Sequence, residues 1–283
     1  MFDVAIIGTG AAGISSALTL KQLNKDFIWI GDKKLSFKIN AAEKISNYPG
    51  LIRVSGKEMA ETFKKQIEDA KIEITDDQVT GVYNMGDHYS ILAAKGQYEA
   101  KTVILAVGVE SVKPIKGELE YVGRGVSYCA TCDGMLYKNK EMTVVATNKE
   151  FEDEIEFLAS IASNVNLIPL YKNVNINNPK VKIINGMPKE ITKEEKIMKL
   201  TINNDVISSS VIFMLKAAIS PAVLVPGIEV KEGHIAVDRC CKTNMDGLFA
   251  AGDTTGRPYQ YTKAVGEGNI AAHSAVSYLA SLK

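Results

Sequence analysis

A chain of 283 residues that is 46% hydrophobic can bury one large core or two ordinary ones, which excludes a disordered or small disulfide-stapled protein. Its 33 basic and 33 acidic residues cancel to a formal charge of zero, so no global field draws it to nucleic acid or an anionic membrane. Four cysteines, no apolar run near the length of a spanning helix and a start directly in a strand set the expectation of a reducing, cytoplasmic compartment.

The first predicted strand, residues 4–7, runs into Gly8, Thr9, Gly10, Ala11, Ala12 and Gly13. A helix follows, with Ile14, Ala17, Leu18 and Leu23 as its apolar positions. Strand, G-x-G-x-x-G and helix in that order form a dinucleotide-binding fingerprint. Gly8 permits the tight turn, Gly10 lets the backbone approach a pyrophosphate and Gly13 lets the helix pack on the strand. The phosphates then lie at the helix N-terminus, beside Ala11 and Ala12. A second strand, residues 27–30, ends at Asp32, about twenty residues after the glycines, where a carboxylate can accept hydrogen bonds from an adenosine ribose. Residues 81–103 alternate polar and apolar and predict a small antiparallel meander that serves as scaffold. Residues 102–108 predict a buried strand ending in glycine.

Cys129-Ala130-Thr131-Cys132 is a C-x-x-C pair, and two thiols so spaced at a turn can close an exchangeable disulfide. Structural zinc is the competing use of such a pair. It needs four ligands, whereas Cys240-Cys241 is not a second C-x-x-C and His88, His234 and His273 are scattered. Cys240 and Cys241 themselves read as two small residues at a strand end, facing opposite ways. Asp133 beside the pair suits proton transfer, because a carboxyl in partly apolar surroundings has a raised pKa; with Gly134 it also suits a plain turn.

A second βαβ unit follows: a strand at residues 142–146, a helical face of Phe151, Ile155, Leu158, Ala159 and Ala162, and a strand at residues 165–170. Its connecting loop, Ala146-Thr147-Asn148-Lys149-Glu150-Phe151, contains no glycine. The side chains of Asn148 and Phe151 fill the space a pyrophosphate needs, and Glu150, Glu152, Asp153 and Glu154 crowd the first turn and repel phosphate. Residues 247–253 predict a final buried strand ending in Gly252-Asp253.

Taken with Ile45-Ser46-Asn47-Tyr48-Pro49-Gly50 and Gly266-Glu267-Gly268, these motifs resemble the low-molecular-weight thioredoxin reductases over nearly the whole chain. The match is best to the ferredoxin-dependent flavin thioredoxin reductases, which lack NADPH-binding motifs. The resemblance implies an α/β fold of two Rossmann-like (three-layer ββα) dinucleotide-binding-type domains, the second inserted into the first. Residues 1–112 and 220–283 would form the FAD-binding domain, and residues 113–219 a redox-active domain with a degenerate nicotinamide-nucleotide fold. It further implies FAD contacts from Asn47, Ala106, Gly108, Gly252, Asp253, Gln260 and Tyr261. Two departures weaken individual contacts: Leu35-Ser36-Phe37-Lys38 replaces a Gly-Gly-Gln stretch, and Tyr259 replaces an arginine.

By the same resemblance Cys132 faces the flavin, Cys129 attacks the incoming protein disulfide, and Asp133 gives and takes the thiol protons. The family's His-Arg-Arg grip on the NADPH 2′-phosphate is here Pro169-Leu170-Tyr171. Losing two charged hydrogen-bonding groups costs NADPH about 3–6 kcal/mol, or roughly 10²- to 10⁴-fold in affinity. The implied activity is a homodimeric flavoenzyme that carries electrons from reduced ferredoxin, or flavodoxin, through FAD to the Cys129–Cys132 disulfide and on to thioredoxin. Domain rotation is implied as well, with hinges at residues 113–117 and 218–221. Two alternatives stay open on the residues alone: an NADPH-dependent reductase with an atypical nucleotide site, and a non-enzymatic flavoprotein redox sensor.

Overall fold

The computed structural model describes residues 1–282 except 41, 43, 110–113 and 217–219; the side chains of residues 37, 38 and 132 also lie outside the description. The chain divides into two compact units, Met1–Val109 with Ser220–Lys283, and Glu110–Ile219. The expected domain boundary at 112/113 falls on residues outside the description, as do residue 113 of the first expected hinge and residues 218 and 219 of the second.

Strands β1 (Phe2–Ile7) and β2 (Phe27–Gly31) pair in parallel around helix α1 (Ala11–Gln22). The apolar residues Val4 to Ile7 are buried on both faces, which is why the run is continuous rather than alternating. Leu23 is the cap of α1 rather than part of it. After the short α2 (Phe37–Asn40), helix α3 (Gly56–Asp69) opens with a capping box: the Ser55 side chain accepts the Glu58 N–H while Glu58 accepts the Ser55 N–H. Its Met59, Ala60, Phe63 and Ile67 recur at helical spacing and are buried.

Strands β3 (Thr75–Asp76), β4 (Val79–Asn84), β5 (Tyr89–Ala93) and β6 (Gln97–Leu105) complete the edge-to-edge order β3-β2-β1-β6-β5-β4. The meander expected from residue 81 is therefore continuous with the dinucleotide-type sheet. β6 serves both, because residues 97–100 pair antiparallel with β5 and residues 100–105 pair in parallel with β1. It ends at Leu105, so Ala106 to Gly108 lie beyond the strand in a loop, with Gly108 at φ 70°.

In the second unit β7 (Val126–Ser127), α4 (Ala130–Asp133), β8 (Glu141–Ala146), α5 (Glu152–Ile161), β9 (Asn164–Pro169) and β10 (Val181–Ile183) follow in order. An antiparallel insert of β11 (Pro188–Glu194), β12 (Ile197–Ile202) and β13 (Asp205–Ser209) precedes β14 (Val211–Leu215). The sheet order β10-β9-β8-β14-β7 is parallel throughout. Its core packs Met142, Val144, Ile155, Leu158, Leu167 and Phe213, so the expected helical face is the buried one, although Phe151 sits in a 3₁₀ turn before α5.

The chain then returns to the first unit through α6 (Pro221–Leu224), the hairpin β15 (Val230–Lys231) and β16 (His234–Ile235), β17 (Leu248–Ala250) and the long α7 (Tyr261–Ser281). β17 pairs in parallel with the second half of β6, and α7 packs along α1. Among the described residues no helix is long and apolar enough to cross a membrane.

Candidate functional site: a glycine cradle and a cysteine helix

The first glycine loop is built around close backbone approaches. A Cβ on Gly8, at φ 109°, would stand 2.4 Å from the Ala106 carbonyl oxygen, and one on Gly13 would stand 2.0 Å from the Gly8 carbonyl oxygen. Trp29 pins the turn by donating its indole N–H to Gly8 O at 2.9 Å. At Gly10 the surroundings open: the nearest atom to a Cβ would be Ser36 Cβ, at 3.9 Å. Gly10 is also the N-cap of α1, with no side-chain cap and no acidic residue in the first turn. The first-turn amides of Ala11, Ala12 and Gly13, which a helix cannot satisfy internally, are thus presented without a competing carboxylate.

Asp32, Ala106, Gly108, Gly252 and Asp253 follow the C-terminal ends of this unit's parallel strands, where α/β sheets bind ligands. Asp32 directly follows β2 and is exposed; its Oδ1 accepts the Lys34 N–H at 2.7 Å. Ala106 follows β6 and donates its N–H to Ile7 O, tying that loop to β1. Gly252 follows β17 at φ 87° and leads into a 3₁₀ turn of Asp253, Thr254 and Thr255. Its N–H is held by Glu267 Oε2 at 2.8 Å, and Thr255 and Lys263 donate to the same oxygen at 2.8 and 3.0 Å. Asn47 donates to Gln260 Oε1 at 2.6 Å, which joins two expected flavin residues that are 213 positions apart. Tyr261 begins α7, with its hydroxyl pKa raised first by burial and then by the Asp253 charge.

The cysteine motif occupies the first turn of α4 rather than an open turn, and Cys129 is buried and disulfide-bonded. The side chain of Cys132 lies outside the description. Ser127, which no sequence pattern singled out, links the motif to its acid. Its Oγ donates to Asp133 Oδ2 at 2.7 Å and accepts the Cys129 N–H at 3.1 Å. A Cβ on Gly134 would press on Phe157, Leu158 and Ile161 at 3.0–3.2 Å, so the glycine lets α4 lie close on α5. From α5, the Glu154 carboxylate accepts the Ala130 N–H, and burial holds its pKa above the usual range against that bond.

The loop from Ala146 to Phe151 is closed by its own contacts. Asn148 Oδ1 accepts the Glu150 N–H at 3.3 Å, the position a phosphate oxygen would take. Glu152, Asp153 and Glu154 fill the first turn of α5. Tyr171, just beyond β9, donates its hydroxyl to Glu152 Oε1 at 3.0 Å, and Asn175 N–H donates to the same oxygen at 2.9 Å. Burial, and then that carboxylate, raise the Tyr171 pKa.

Cys240 and Cys241 lie in a turn, not at a strand end. Cys241 adopts a left-handed φ of 60°, and the two side chains still separate, Cys240 exposed and Cys241 buried with its thiol pKa pushed up to about 12, chiefly by burial.

Two dinucleotide-type α/β units, one carrying the cysteine-pair helix, define a disulfide oxidoreductase of the flavoprotein class. The family model described as pyridine nucleotide-disulphide oxidoreductase matches residues 2–147 and 166–268. Thioredoxin reductases of Helicobacter pylori and Treponema pallidum are 33% and 31% identical to the chain, covering 99% and 100% of it and 99% and 98% of their own lengths. A solved ferredoxin-flavin thioredoxin reductase from Clostridium acetobutylicum is 42% identical over 99% of this chain and 98% of its own, with a TM-score of 0.95. The chain belongs to the low-molecular-weight thioredoxin reductases of the pyridine nucleotide-disulphide oxidoreductase family.

Proposed function

We propose that the protein is a flavin-dependent thioredoxin-disulfide reductase that draws its electrons from a one-electron carrier, reduced ferredoxin or flavodoxin, and not from NADPH. The observation that carries this reading is the contrast of the two loops: the first presents its helix-start amides in a glycine cradle with no acid in the first turn, and the second bonds the Glu150 amide to Asn148 and places three acidic side chains on the first turn of α5. The name of the Clostridium acetobutylicum relative supports the same donor.

In this reading Gly8, Gly10, Ala11, Ala12 and Gly13 cradle the FAD pyrophosphate, Asp32 takes the ribose, and Gly252 and Asp253 take the chain leading to the flavin. Asn47, Ala106, Gly108 and Tyr261 add further FAD contacts, and Gln260 lies near the flavin ring. FAD, when bound, supplies the conversion between single electrons and the electron pair that a disulfide needs. Cys129 is the thiol that attacks the thioredoxin disulfide, with Cys132 as its resolving partner. Asp133, oriented by Ser127, exchanges protons with the pair, and Ser127 keeps the Cys129 backbone in register with that carboxylate. A donor near −400 mV feeding thioredoxin near −270 mV leaves about 130 mV, or roughly 6 kcal/mol for two electrons.

The test is anaerobic flavin absorbance with thioredoxin present. Bleaching and new thioredoxin thiols are expected with catalytically reduced ferredoxin and not with NADPH or NADH. Rapid bleaching by micromolar NADPH would overturn the donor assignment and favour an atypical pyridine-nucleotide site.

A further inference from the structure

Glu118 and Lys216 stand 98 residues apart in sequence, yet their side chains meet at 2.6 Å with exposures of 0% and 3%. Two further donors converge on the same carboxylate: the Tyr128 hydroxyl reaches Oε1 at 2.6 Å and the Ile115 N–H reaches Oε2 at 2.9 Å. All four residues belong to the unit formed by Glu110–Ile219. Stability is a weak reason for such a pair, because desolvating two charges roughly cancels their attraction and an apolar pair would hold the fold as well.

The sequence positions of the four groups suggest a different use. Ile115 follows the stretch by which the chain enters this unit, and Lys216 precedes the stretch by which it leaves. Tyr128 directly precedes Cys129, and on its other side Ser127 is bonded to Asp133 and to the Cys129 backbone. One carboxylate therefore ties the entry, the exit and the cysteine motif to a single buried point.

We propose that Glu118 is a positioning residue for Cys129, anchoring its neighbour Tyr128 to the entry and exit of the redox unit through Ile115 and Lys216. The inference rests on reading Cys129 as the exchanging thiol. The anchor is made while Cys129 is disulfide-bonded, so it holds the sulfur where that bond closes. Loosening it lowers the effective concentration of the Cys129 sulfur at its partner and shifts the equilibrium toward the dithiol.

The measurement is equilibration of the whole flavoprotein with dithiothreitol, followed by thiol trapping. Dithiothreitol gives two electrons and two protons to the protein disulfide and becomes a cyclic disulfide itself. Tyr128→Phe deletes only the hydroxyl, and it is expected to move the equilibrium constant about three- to tenfold toward the dithiol, or about 14–30 mV. Its thermal midpoint is expected to fall by no more than about 3 °C. Glu118→Gln alone would take the carboxylate from the buried Lys216 ammonium, so the companion is Glu118→Gln with Lys216→Met, expected to shift the equilibrium the same way. Equilibrium constants within twofold of wild type for both variants, or lowered thermal stability with no redox shift, would overturn the proposal. Neither ferredoxin nor thioredoxin takes part in this equilibrium, so failure of the donor assignment and failure of the anchor are separately visible.

Discussion

The two β–loop–α turns, Ile7 to Ile14 and Ala146 to Ile155, begin from the same plan of a buried parallel strand feeding a helix, and they end in opposite chemistry. In the first, glycines let backbone pass within contact distance of backbone, and the helix opens with no side-chain cap and no acid. In the second, Asn148 caps the 3₁₀ turn ahead of α5, and the first turn of α5 carries three acids, one of which is bound to Tyr171 and another to the cysteine helix. On the proposed reading, a nucleotide-type scaffold has outlived its nucleotide. The strands and the buried helical face hold the fold through apolar packing, and only the loop and the first turn decide whether a phosphate is welcome.

The largest expected effect comes from filling the cradle where it is tightest. Gly13→Val would drive a Cβ into the Gly8 carbonyl. It is expected to cost about 3 kcal/mol or more in denaturant unfolding and to yield protein free of FAD. Gly10→Asp separates folding from binding. Gly10 has open space and an ordinary φ of −82°, so stability should change by about 1 kcal/mol or less. FAD retention should nevertheless fall about 10- to 100-fold on dialysis, through charge repulsion at the pyrophosphate. If Gly10→Asp kept its flavin, the cradle would not be the cofactor site.

The second loop can be pushed the other way. Asn148→Gly with Phe151→Ala and Glu152→Gln removes the cap, the bulk and one acid. NADPH binding is expected to rise only to about millimolar in a fluorescence titration, since no basic residue replaces Pro169 or Tyr171. A micromolar result would mean that the loop alone had closed the site.

The smallest effect is a pH dependence. Burial raises the Glu154 pKa, so the native state binds this proton more tightly than the unfolded chain does. The stability contribution is full below the unfolded value, and it is lost as pH rises through the raised folded value. Glu154→Gln should therefore gain thermal stability relative to wild type as pH goes from 5 to 8, and a flat difference would contradict that assignment.

The two loops were also the most legible parts of the sequence, because glycine spacing and helix-terminal charge are local signals. The cysteine helix was legible as a motif but not in its support. Ser127 lies only two residues before Cys129, yet a serine there has no periodicity or spacing to mark its bond to Asp133. Glu267 holding Gly252 and Glu118 meeting Lys216 are contacts between distant segments, which one sequence does not encode as a pattern. The antiparallel insert from Pro188 to Ser209 went unread, although Met198, Leu200 and Ile202 are buried and alternate along β12. β6 misled for another reason. One strand belongs half to a meander and half to a parallel sheet, so its single apolar run looked like two elements.

The central claim is that one loop holds a dinucleotide and the other refuses it. Calorimetric titration of the FAD-loaded protein with NADPH tests this most directly, with nucleotide released from the same sample counted per chain. One FAD per chain and no NADPH heat up to about 1 mM is the expected result. Saturable NADPH binding at micromolar concentration would contradict it.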